Sequence, residues 1–484
     1  MRTCLVAYLV VLVVSSVFGD PIIVGSKKFT ESYVLAEIAK RAIEDAGVTV
    51  EHRQGMGGTI ILWEALRAGQ ISLYPEYTGT IAEEILKQPQ ITSIDALRDE
   101  LAKRRIGISR ELGFNNTYAL VMRRAKAERL GIHTISDLKK RPDLKLGLTH
   151  EFLDRRDGWR QLSERYQLPM RNVSGIDHGL GYAALQNNSV DVKDAYSTDA
   201  KIGENDLVAL EDDLHFFPQY EAVFLYRLDI PPAALSAARK LEGTINGERM
   251  IHLNVEAERT KNYAQAASLY FGDKNFAGES LAQKLLRWTT RHLELAGFSL
   301  LLAVIVGVPL GIVASRGGAI GHIILAGTGI VQTIPSLALL ALLVPVPFFG
   351  ISVRTAIAAL FLYGLLPIVR NTATGLQNIA QPLRESAIAL GLESGARLRQ
   401  IYLPIASRTV LAGIKTSAVI NVGTATLAAL IGAGGLGEPI LSGLNLNDHA
   451  TILQGAIPAA LLALIVQWFF DLLDRILIPK GLRL

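Results

Sequence analysis

Residues 298–314 read FSLLLAVIVGVPLGIVA, an uncharged apolar run bounded by Glu294 on one side and Arg316 on the other. An α-helix needs about 20 mostly apolar residues to cross a bilayer. Similar runs follow at 320–344, 356–369, 409–431 and 452–470. The sequence therefore predicts an all-α transmembrane domain of about five spans over 295–478.

Basic side chains indicate how these spans are oriented. Loops on the cytoplasmic side of a membrane are enriched in Lys and Arg. The segments after the first, third and fifth spans are basic, whereas the two other loops contain only Arg354. This pattern places the N-terminus outside the cell, provided that 320–344 is one span. We therefore expect Pro335 to kink a single helix rather than to end it.

The first half of the chain has a different pattern. The 484 residues are 50% hydrophobic with a mean hydropathy of +0.29, but the charged residues concentrate before residue 295. Strand-like runs at 22–25, 48–50 and 144–148 are each followed by an amphipathic helical run, at 30–46, 58–66 and 159–166. This alternation predicts an α/β domain with a largely parallel sheet over 21–270, followed by a linker over 271–294.

The N-terminus has the features of a secretory signal peptide. An apolar run follows Arg2 and ends in small residues, which predicts a signal peptide over 1–19 with cleavage near Gly19, or alternatively an uncleaved anchor. The only cysteine, Cys4, lies inside it, so a mature chain would form no disulfide. A net charge of +4, from 49 basic and 45 acidic residues without a basic block, argues against nucleic acid binding.

A cytoplasmic segment over 381–405 lies between the third and fourth predicted spans. It reads as a short helix from Glu385, a break at Gly391 and a second short helix that ends at Pro404. This segment resembles the EAA loop of ABC importer permeases, whose coupling helices dock into an ATPase. The resemblance assigns that role to Glu385, Ala387, Gly391, Leu403 and Pro404. Because the sequence contains no phosphate-binding GxxxxGK(S/T) loop, the resemblance implies a separate ATP-binding subunit and a second permease copy.

Tyrosines recur in polar phrases of the α/β domain, and several of these phrases follow strands, where α/β clefts place ligand contacts. The phrases include YPEYTGT at 74–80, NNTYAL at 115–120, YSTD at 196–199 and FFPQY at 216–220. Converging tyrosine faces attract a methylated ammonium group, and basic side chains with a hydroxyl can hold a carboxylate. The pattern therefore predicts a receptor for a betaine-like zwitterion.

These phrases resemble the osmoprotectant-binding proteins of glycine betaine, carnitine and choline ABC importers, which have a type II periplasmic-binding-protein fold of two lobes. The resemblance implies an aromatic cage of four tyrosines, Tyr77, Tyr118, Tyr196 and Tyr220. It implies that Lys27, Thr80 and Arg155 hold the carboxylate, with the adjacent Arg156 as the alternative arginine. Tyr74 is expected to be structural, and the histidines, His178 among them, show no metal-ligand spacing.

Three alternatives stay open at this stage. The cargo could be ergothioneine, which carries the same trimethylammonium and carboxylate groups, or choline, which would need no carboxylate clamp. A ligand-sensing membrane receptor is a third possibility, although it would not need the coupling segment. No nucleophile, metal or cofactor motif supports an enzyme. We expect no cofactor in this chain, and we expect ATP to bind to the partner subunit. The expected location is the cell membrane, in contact with lipid, with the first domain extracytoplasmic.

Overall fold

Two structural units make up the chain, Met1–Gly278 and Glu279–Leu484. The computed structural model describes residues 21–273, 279–346 and 348–477, so the predicted signal peptide lies outside the described residues. Helical structure of the second unit begins at Leu281, inside the segment predicted as a linker. Ser280 and Gln283 form a reciprocal capping box that starts this helix, which explains the early beginning.

The first unit has two lobes, each built on a five-stranded sheet. Sheet order is β2-β1-β3-β10-β4 in the first lobe and β7-β6-β8-β5-β9 in the second. The strands are β1 Ile22–Lys27, β2 Val50–Gly57, β3 Leu73–Tyr77, β4 Ile106–Ile108, β5 Tyr118–Arg123, β6 Leu146–Thr149, β7 Val173–Ile176, β8 Val192–Tyr196, β9 Leu207–Ala209 and β10 Ala222–Arg227.

Both sheets are mixed: four strands of each run in the same direction, as the prediction of a largely parallel sheet requires, and one strand, β10 or β5, runs against them. β1 pairs in parallel with β2 and β3, and β6 with β7 and β8. By contrast, β10 runs antiparallel to β3 and β4, and β5 runs antiparallel to β8 and β9. The cause is the route of the chain, because β5 and β10 are each entered by a segment that crosses from the other lobe.

The crossing segments, 109–117 and 210–221, run side by side between the lobes. Asn115 and Glu221 form an antiparallel bridge, and the main-chain N–H of Asn116 donates to the Tyr220 carbonyl at 3.0 Å. Such a pair of adjacent segments is suited to act as a hinge, since few residues need to change their backbone angles for the lobes to open.

Helices cover the sheets of both lobes. The predicted helices at 30–46, 58–66 and 159–166 are present as Thr30–Glu44, Thr59–Arg67 and Trp159–Tyr166. The other helical segments of this unit are Thr78–Thr80, Ile81–Leu86, Ile94–Ala102, Arg124–Leu130, Ser136–Lys140, His150–Asp154, His178–Gln186, Ala200–Glu204, Pro232–Arg239, Gly247–Thr260 and Tyr263–Tyr270.

The second unit is helical. Within residues 279–346 and 348–477 it contains four helices long and apolar enough to cross a membrane, or five spans if one bent pair counts as one. Its segments are Leu281–Ala314, Gly318–Thr333, Ser336–Leu343, Val353–Gln377, Gln381–Ala389, Ser394–Arg397, Leu398–Tyr402, Leu403–Thr424, Ala425–Ile431, Gly437–Leu446 and His449–Leu477.

Pro335 breaks the second predicted span instead of kinking it. Helix Gly318–Thr333 ends before Ile334, and helix Ser336–Leu343 continues at an angle of 99°. Ile334 is extended, with φ −70° and ψ 125°, because a proline ring disfavours the α conformation of the residue before it. The prediction of one kinked helix over 320–344 is therefore wrong.

Glycines allow three of the long helices to pack closely. A Cβ on Gly311 of helix Leu281–Ala314 would lie 2.5 Å from the Thr372 Cβ, on helix Val353–Gln377. A Cβ on Gly364 of that second helix would lie 2.6 Å from the Ser417 Oγ, on helix Leu403–Thr424. Small residues at contacts are typical of helices that associate inside a membrane, where burial from water cannot drive their packing.

Candidate solute-binding site

Two cage tyrosines meet on the second lobe because their strands are paired. Tyr118 begins β5 and Tyr196 ends β8, and the two residues lie directly opposite each other in the antiparallel register. Their ring centroids are 5.2 Å apart. Strand pairing thus brings together two residues that are far apart in the sequence.

The first lobe contributes a second group of side chains to the same place. Lys27 ends β1 and Tyr77 ends β3, and parallel neighbouring strands end at the same edge of a sheet. Thr80 follows in the helical turn after β3. Tyr220 comes from the crossing segment 210–221 and is 1% exposed.

A cavity between the two lobes is lined by all seven residues that the sequence predicts as solute contacts. Phe29, Asn116 and Glu151 also line it. The complete lining is Lys27, Phe29, Tyr77, Thr80, Asn116, Tyr118, Glu151, Arg155, Tyr196 and Tyr220. The structure therefore brings the predicted residues together, while Tyr74, which was expected to be structural, is fully buried and does not line the cavity.

Aromatic rings make up much of this lining. The ring centroid of Phe29 lies 5.0 Å from that of Tyr196 and 6.4 Å from that of Tyr77, so Phe29 connects the rings of the two lobes. Tyr118 meets Tyr220 edge-on, with centroids 5.8 Å apart and an interplanar angle of 81°. Sequence reasoning missed Phe29, although its place two residues after Lys27, at the end of a strand, was a signal that could have revealed it.

The cage hydroxyls are neutral at physiological pH. Burial raises the pKa of Tyr77, Tyr118, Tyr196 and Tyr220 well above the usual value of 10.0. The rings therefore present uncharged faces, whose attraction for a cation comes from their quadrupole.

Arg155, and not Arg156, faces the cavity. Arg155 is 5% exposed, whereas Arg156 is exposed to solvent. The Arg155 guanidinium donates to both carboxylate oxygens of Asp157, with its Nε 2.7 Å from Oδ1. It also lies 3.4 Å from the Thr80 hydroxyl and 5.3 Å from the centroid of the Tyr118 ring.

Lys27 is also paired with an acid. Its Nζ lies 2.5 Å from Oε1 of Glu76, and both residues are buried. Burial raises the pKa of Glu76, and the lysine opposes that rise. The two predicted carboxylate-binding cations thus each have a carboxylate partner within the protein.

Acidic groups outnumber basic ones around the cavity. Glu76 and Asp157 balance Lys27 and Arg155, and Glu151 adds a carboxylate that lines the cavity and accepts a hydrogen bond from Thr59 at 3.2 Å. Opposite charge within a few ångströms favours a charged ligand group. The cavity is accordingly suited to a cationic group, and sequence reasoning did not assign Glu151 to the site.

A partly buried polar cluster contacts Tyr196. The His178 ring stacks on the Tyr196 ring at 4.9 Å, and its Nε2 lies 3.0 Å from Oδ2 of Asp199. Burial alone would raise the pKa of Asp199, but His178, Lys193 and the Tyr182 hydroxyl hold it at about 2. Asp199 also accepts a hydrogen bond from the Tyr196 amide at 3.0 Å, which fixes the end of β8. Among the described residues, no group of His, Cys, Asp or Glu is arranged to hold a metal ion.

The predicted coupling segment has a helix, a break and a second helix. Helix Gln381–Ala389 contains Glu385, which is exposed, and Ala387, which is 1% exposed. Gly391 follows with a φ of +72°, a value that favours glycine.

The second helix does not end at Pro404 as predicted. Turns that begin at Ser394 run on into helix Leu403–Thr424, in which Pro404 lies in the first turn. Proline is tolerated there because its missing N–H needs no partner.

Comparison with known proteins links each half of the chain to transport. Residues 20–272 match the family described as the substrate binding domain of ABC-type glycine betaine transport system. Residues 307–480 match the binding-protein-dependent transport system inner membrane component.

Individual relatives are similar over parts of the chain. The osmoprotectant import permease protein OsmW of Salmonella typhimurium is 40% identical over 40% of this chain and 92% of its own length. The glycine betaine/carnitine/choline transport system permease protein OpuCB of Bacillus subtilis is 40% identical over 41% of this chain and 91% of its own length. The ergothioneine transport permease/ergothioneine binding protein EgtU of Helicobacter pylori is 34% identical over 50% of this chain and 45% of its own length.

Proposed function

Since this chain belongs to the family of substrate-binding domains of ABC-type glycine betaine transport systems and carries an inner membrane transport component on the same polypeptide, we propose that it captures a quaternary ammonium solute and helps to carry it through the membrane. The observation that carries the proposal is the cavity between the lobes, which Phe29, three buried tyrosines and the half-buried Tyr196 line. Aromatic faces in a desolvated site attract a cation that has no hydrogen to donate.

The acidic excess around the cavity supports a cationic group, and its lining of rings supports a methylated one. Ammonium groups that keep their N–H bonds lose hydrogen bonds to water when they enter such a ring-lined space, whereas a trimethylammonium group does not. Glycine betaine, carnitine and choline all carry that group.

Two ion pairs within the protein bear on the choice between choline and a betaine that carries a carboxylate. From sequence, Lys27 and Arg155 argue slightly against choline because choline has no carboxylate to bind. Since Glu76 and Asp157 already neutralise these two cations, their presence no longer disfavours choline. In a betaine complex, Arg155 and the Thr80 hydroxyl would hold the carboxylate, because the Arg155 terminal nitrogens lie next to that hydroxyl.

Energy for transport would come from a separate ATP-binding subunit that docks onto the coupling segment. Leu383, Ile388 and Leu390 of this segment are exposed by 47%, 57% and 72%, which gives the segment an apolar surface for a partner. A second copy of the chain would complete the membrane part. Helix His449–Leu477 fits that arrangement or a lipid environment, because only 17% of its most apolar 18-residue stretch is buried by the rest of the chain.

The proposed mechanism starts with closure of the two lobes on the solute. The closed receptor delivers the solute to an outward-open membrane domain, and ATP-driven movement of the partner subunit shifts the coupling helices. A leader peptide over 1–19 would direct the receptor domain to the outside of the cell.

Ergothioneine is the second candidate cargo. It carries the same trimethylammonium and carboxylate groups, and a relative named for ergothioneine binding and transport is similar over half of this chain. A purely sensory role fits the coupling segment less well, since a sensor has no ATPase to engage.

Calorimetry on the full-length chain in lipid nanodiscs tests the proposal. Glycine betaine, carnitine, choline and ergothioneine are compared with glycine, which has the same charges as glycine betaine but keeps its N–H bonds. We expect at least one methylated solute to bind more than tenfold tighter than glycine, which corresponds to about 1.4 kcal/mol. Binding of all four methylated solutes no tighter than that of glycine would refute the cage proposal.

Transport is tested separately, by ATP-dependent uptake into proteoliposomes that contain the chain and its ATPase subunit. Uptake would distinguish a transporter from a sensor. Solute binding without any ATP-dependent uptake would favour the sensor.

A further inference from the structure

Glu31 is a buried carboxylate that does not line the solute cavity. It lies in the first turn of helix Thr30–Glu44, on the first lobe, and is 2% exposed. A carboxylate in such a place is costly unless donors compensate for the water that it has lost. The functional residues described above do not include it.

Four side-chain donors surround Glu31, and they come from four different parts of the receptor domain. One carboxylate oxygen accepts from the Tyr77 hydroxyl at 2.6 Å and from the Asn116 amide at 2.8 Å. The other accepts from the Thr198 hydroxyl at 2.5 Å and from the Asn254 amide at 3.0 Å. Tyr77 belongs to the first lobe, Asn116 to a crossing segment, Thr198 to the second lobe and Asn254 to helix Gly247–Thr260.

We propose that Glu31 is a positioning residue that couples the aromatic cage to closure of the lobes. Thr198 follows β8 of the second lobe, so opening the cleft would carry it away from the helix that bears Glu31. The carboxylate has all four donors only when the cleft is closed, and in that state it also fixes the hydroxyl of the cage residue Tyr77. This inference rests on the proposed function, because it assumes that a solute is held in the cage.

A neighbouring contact ties helix Gly247–Thr260 to the same closed arrangement. The Asn254 amide donates to the Thr198 carbonyl at 3.1 Å as well as to Glu31. This helix packs on helix Thr30–Glu44 of the first lobe and on helix Ala200–Glu204 of the second, so these bonds lie where elements of both lobes meet. Separation of the lobes would break the hydrogen bonds that join Thr198 to Glu31 and to Asn254.

A carboxylate suits this position better than the amide of the same shape. In Glu31→Gln, one of the two oxygens becomes an NH₂ group and faces an amide donor, Asn116 or Asn254. Asn254 cannot simply turn, because its NH₂ also donates to the Thr198 carbonyl. Asn116 cannot turn either without placing its NH₂ against the Thr198 amide N–H, which lies 3.4 Å from its Oδ1. Glu31→Gln therefore leaves a mismatched pair whichever way it is oriented.

The test measures solute affinity and lobe closure in the full-length chain in nanodiscs, with glycine betaine, choline, carnitine and ergothioneine as probes. Fluorescent labels at Lys103→Cys and Arg165→Cys, one on each lobe, report closure in a Cys4→Ser background. Glu31→Gln is compared with Glu44→Gln, a control at the solvent-exposed end of the same helix.

For Glu31→Gln we expect the dissociation constant of the bound probe to rise by about tenfold, as for the loss of one hydrogen bond to a charged group. The rise should come from faster dissociation, with a smaller closed fraction at saturating solute. The thermal midpoint of the solute-free chain should stay close to that of the parent, and Glu44→Gln should behave as the parent does.

Thr198→Val is a second variant that removes one donor from the opposite side of the cleft. It should also increase the dissociation rate, and the double variant should lose less affinity than the two single losses combined. Unchanged affinity and closed fraction in Glu31→Gln would overturn the coupling, as would a lower thermal midpoint with unchanged affinity. If the parent chain binds none of the four probes, the proposed function fails and this inference fails with it.

Discussion

Replacing Tyr118 separates the attraction of a ring face from simple filling of the cavity. Tyr118 is 5% exposed and lies within 5.2 Å of Tyr196 and 5.8 Å of Tyr220, so it occupies the centre of the ring cluster. Tyr118→Leu removes the aromatic face and leaves an apolar side chain, whereas Tyr118→Phe keeps the face and removes only the hydroxyl.

The expected loss follows from the burial of this ring. A cation–π contact in a desolvated site is worth about 1 to 2 kcal/mol, so Tyr118→Leu should weaken binding by about 5- to 30-fold. Tyr118→Phe should bind within about threefold of the parent, because the ring quadrupole provides most of the attraction.

Calorimetry with glycine betaine and choline on the full-length chain measures both variants. Tyr270→Leu, a tyrosine outside the cavity, controls for general loss of stability. Equal losses in the Leu and Phe variants would refute the cage reasoning, because the hydroxyl and not the ring would then hold the solute. No loss in either variant would remove Tyr118 from the site.

Two further predictions concern the carboxylate end and the coupling segment. Arg155→Lys should weaken glycine betaine binding by about tenfold, since lysine cannot reproduce the two-pronged guanidinium contact, and should change choline binding little. Calorimetry measures both affinities, with the exposed Arg156→Lys as the control. Equal losses for the two solutes would contradict the assignment of Arg155 to the carboxylate. Gly391→Val should reduce ATP-driven uptake by about 5- to 30-fold while solute binding persists, because Gly391 has a φ of +72° that costs a β-branched residue about 1–2 kcal/mol. Gly395→Ala, where a Cβ meets no atom within 4 Å, is the matched control, and normal uptake by Gly391→Val would exclude a strict requirement for this turn.

Much of the fold follows from short-range patterns that the sequence displays. The helices Thr30–Glu44, Thr59–Arg67 and Trp159–Tyr166 lie close to the predicted runs because their apolar spacing and their glycine or polar starts are local signals. The direction of β5 and β10 depends instead on where the chain crosses between lobes, which is not a local property.

The two proline errors have the same kind of cause. Pro335 and Pro404 both lie in helical sequence, yet Pro335 separates two helices at 99° and Pro404 is accommodated in a first turn. The sequence predicts a perturbation at each proline. Which outcome occurs depends on the residues that precede it and on packing against neighbouring helices.

The candidate site was predictable as a set of residues but not as a pattern of charges. The seven predicted residues line one cavity, because strand ends in the two lobes converge there. The pairing of Lys27 with Glu76 could not be read from spacing alone, because it joins two strands through the fold. The same is true of Glu31, whose donors lie as far along the chain as Asn254.

A structure of the full-length chain with a bound methylated ammonium solute would show directly where the cation lies. We expect the quaternary nitrogen within about 6 Å of the ring centroids of Tyr77, Tyr118, Tyr196 and Tyr220, the range of a cation–π contact. A solute whose nitrogen lies outside that cluster, with the four rings turned away from it, would refute the aromatic cage.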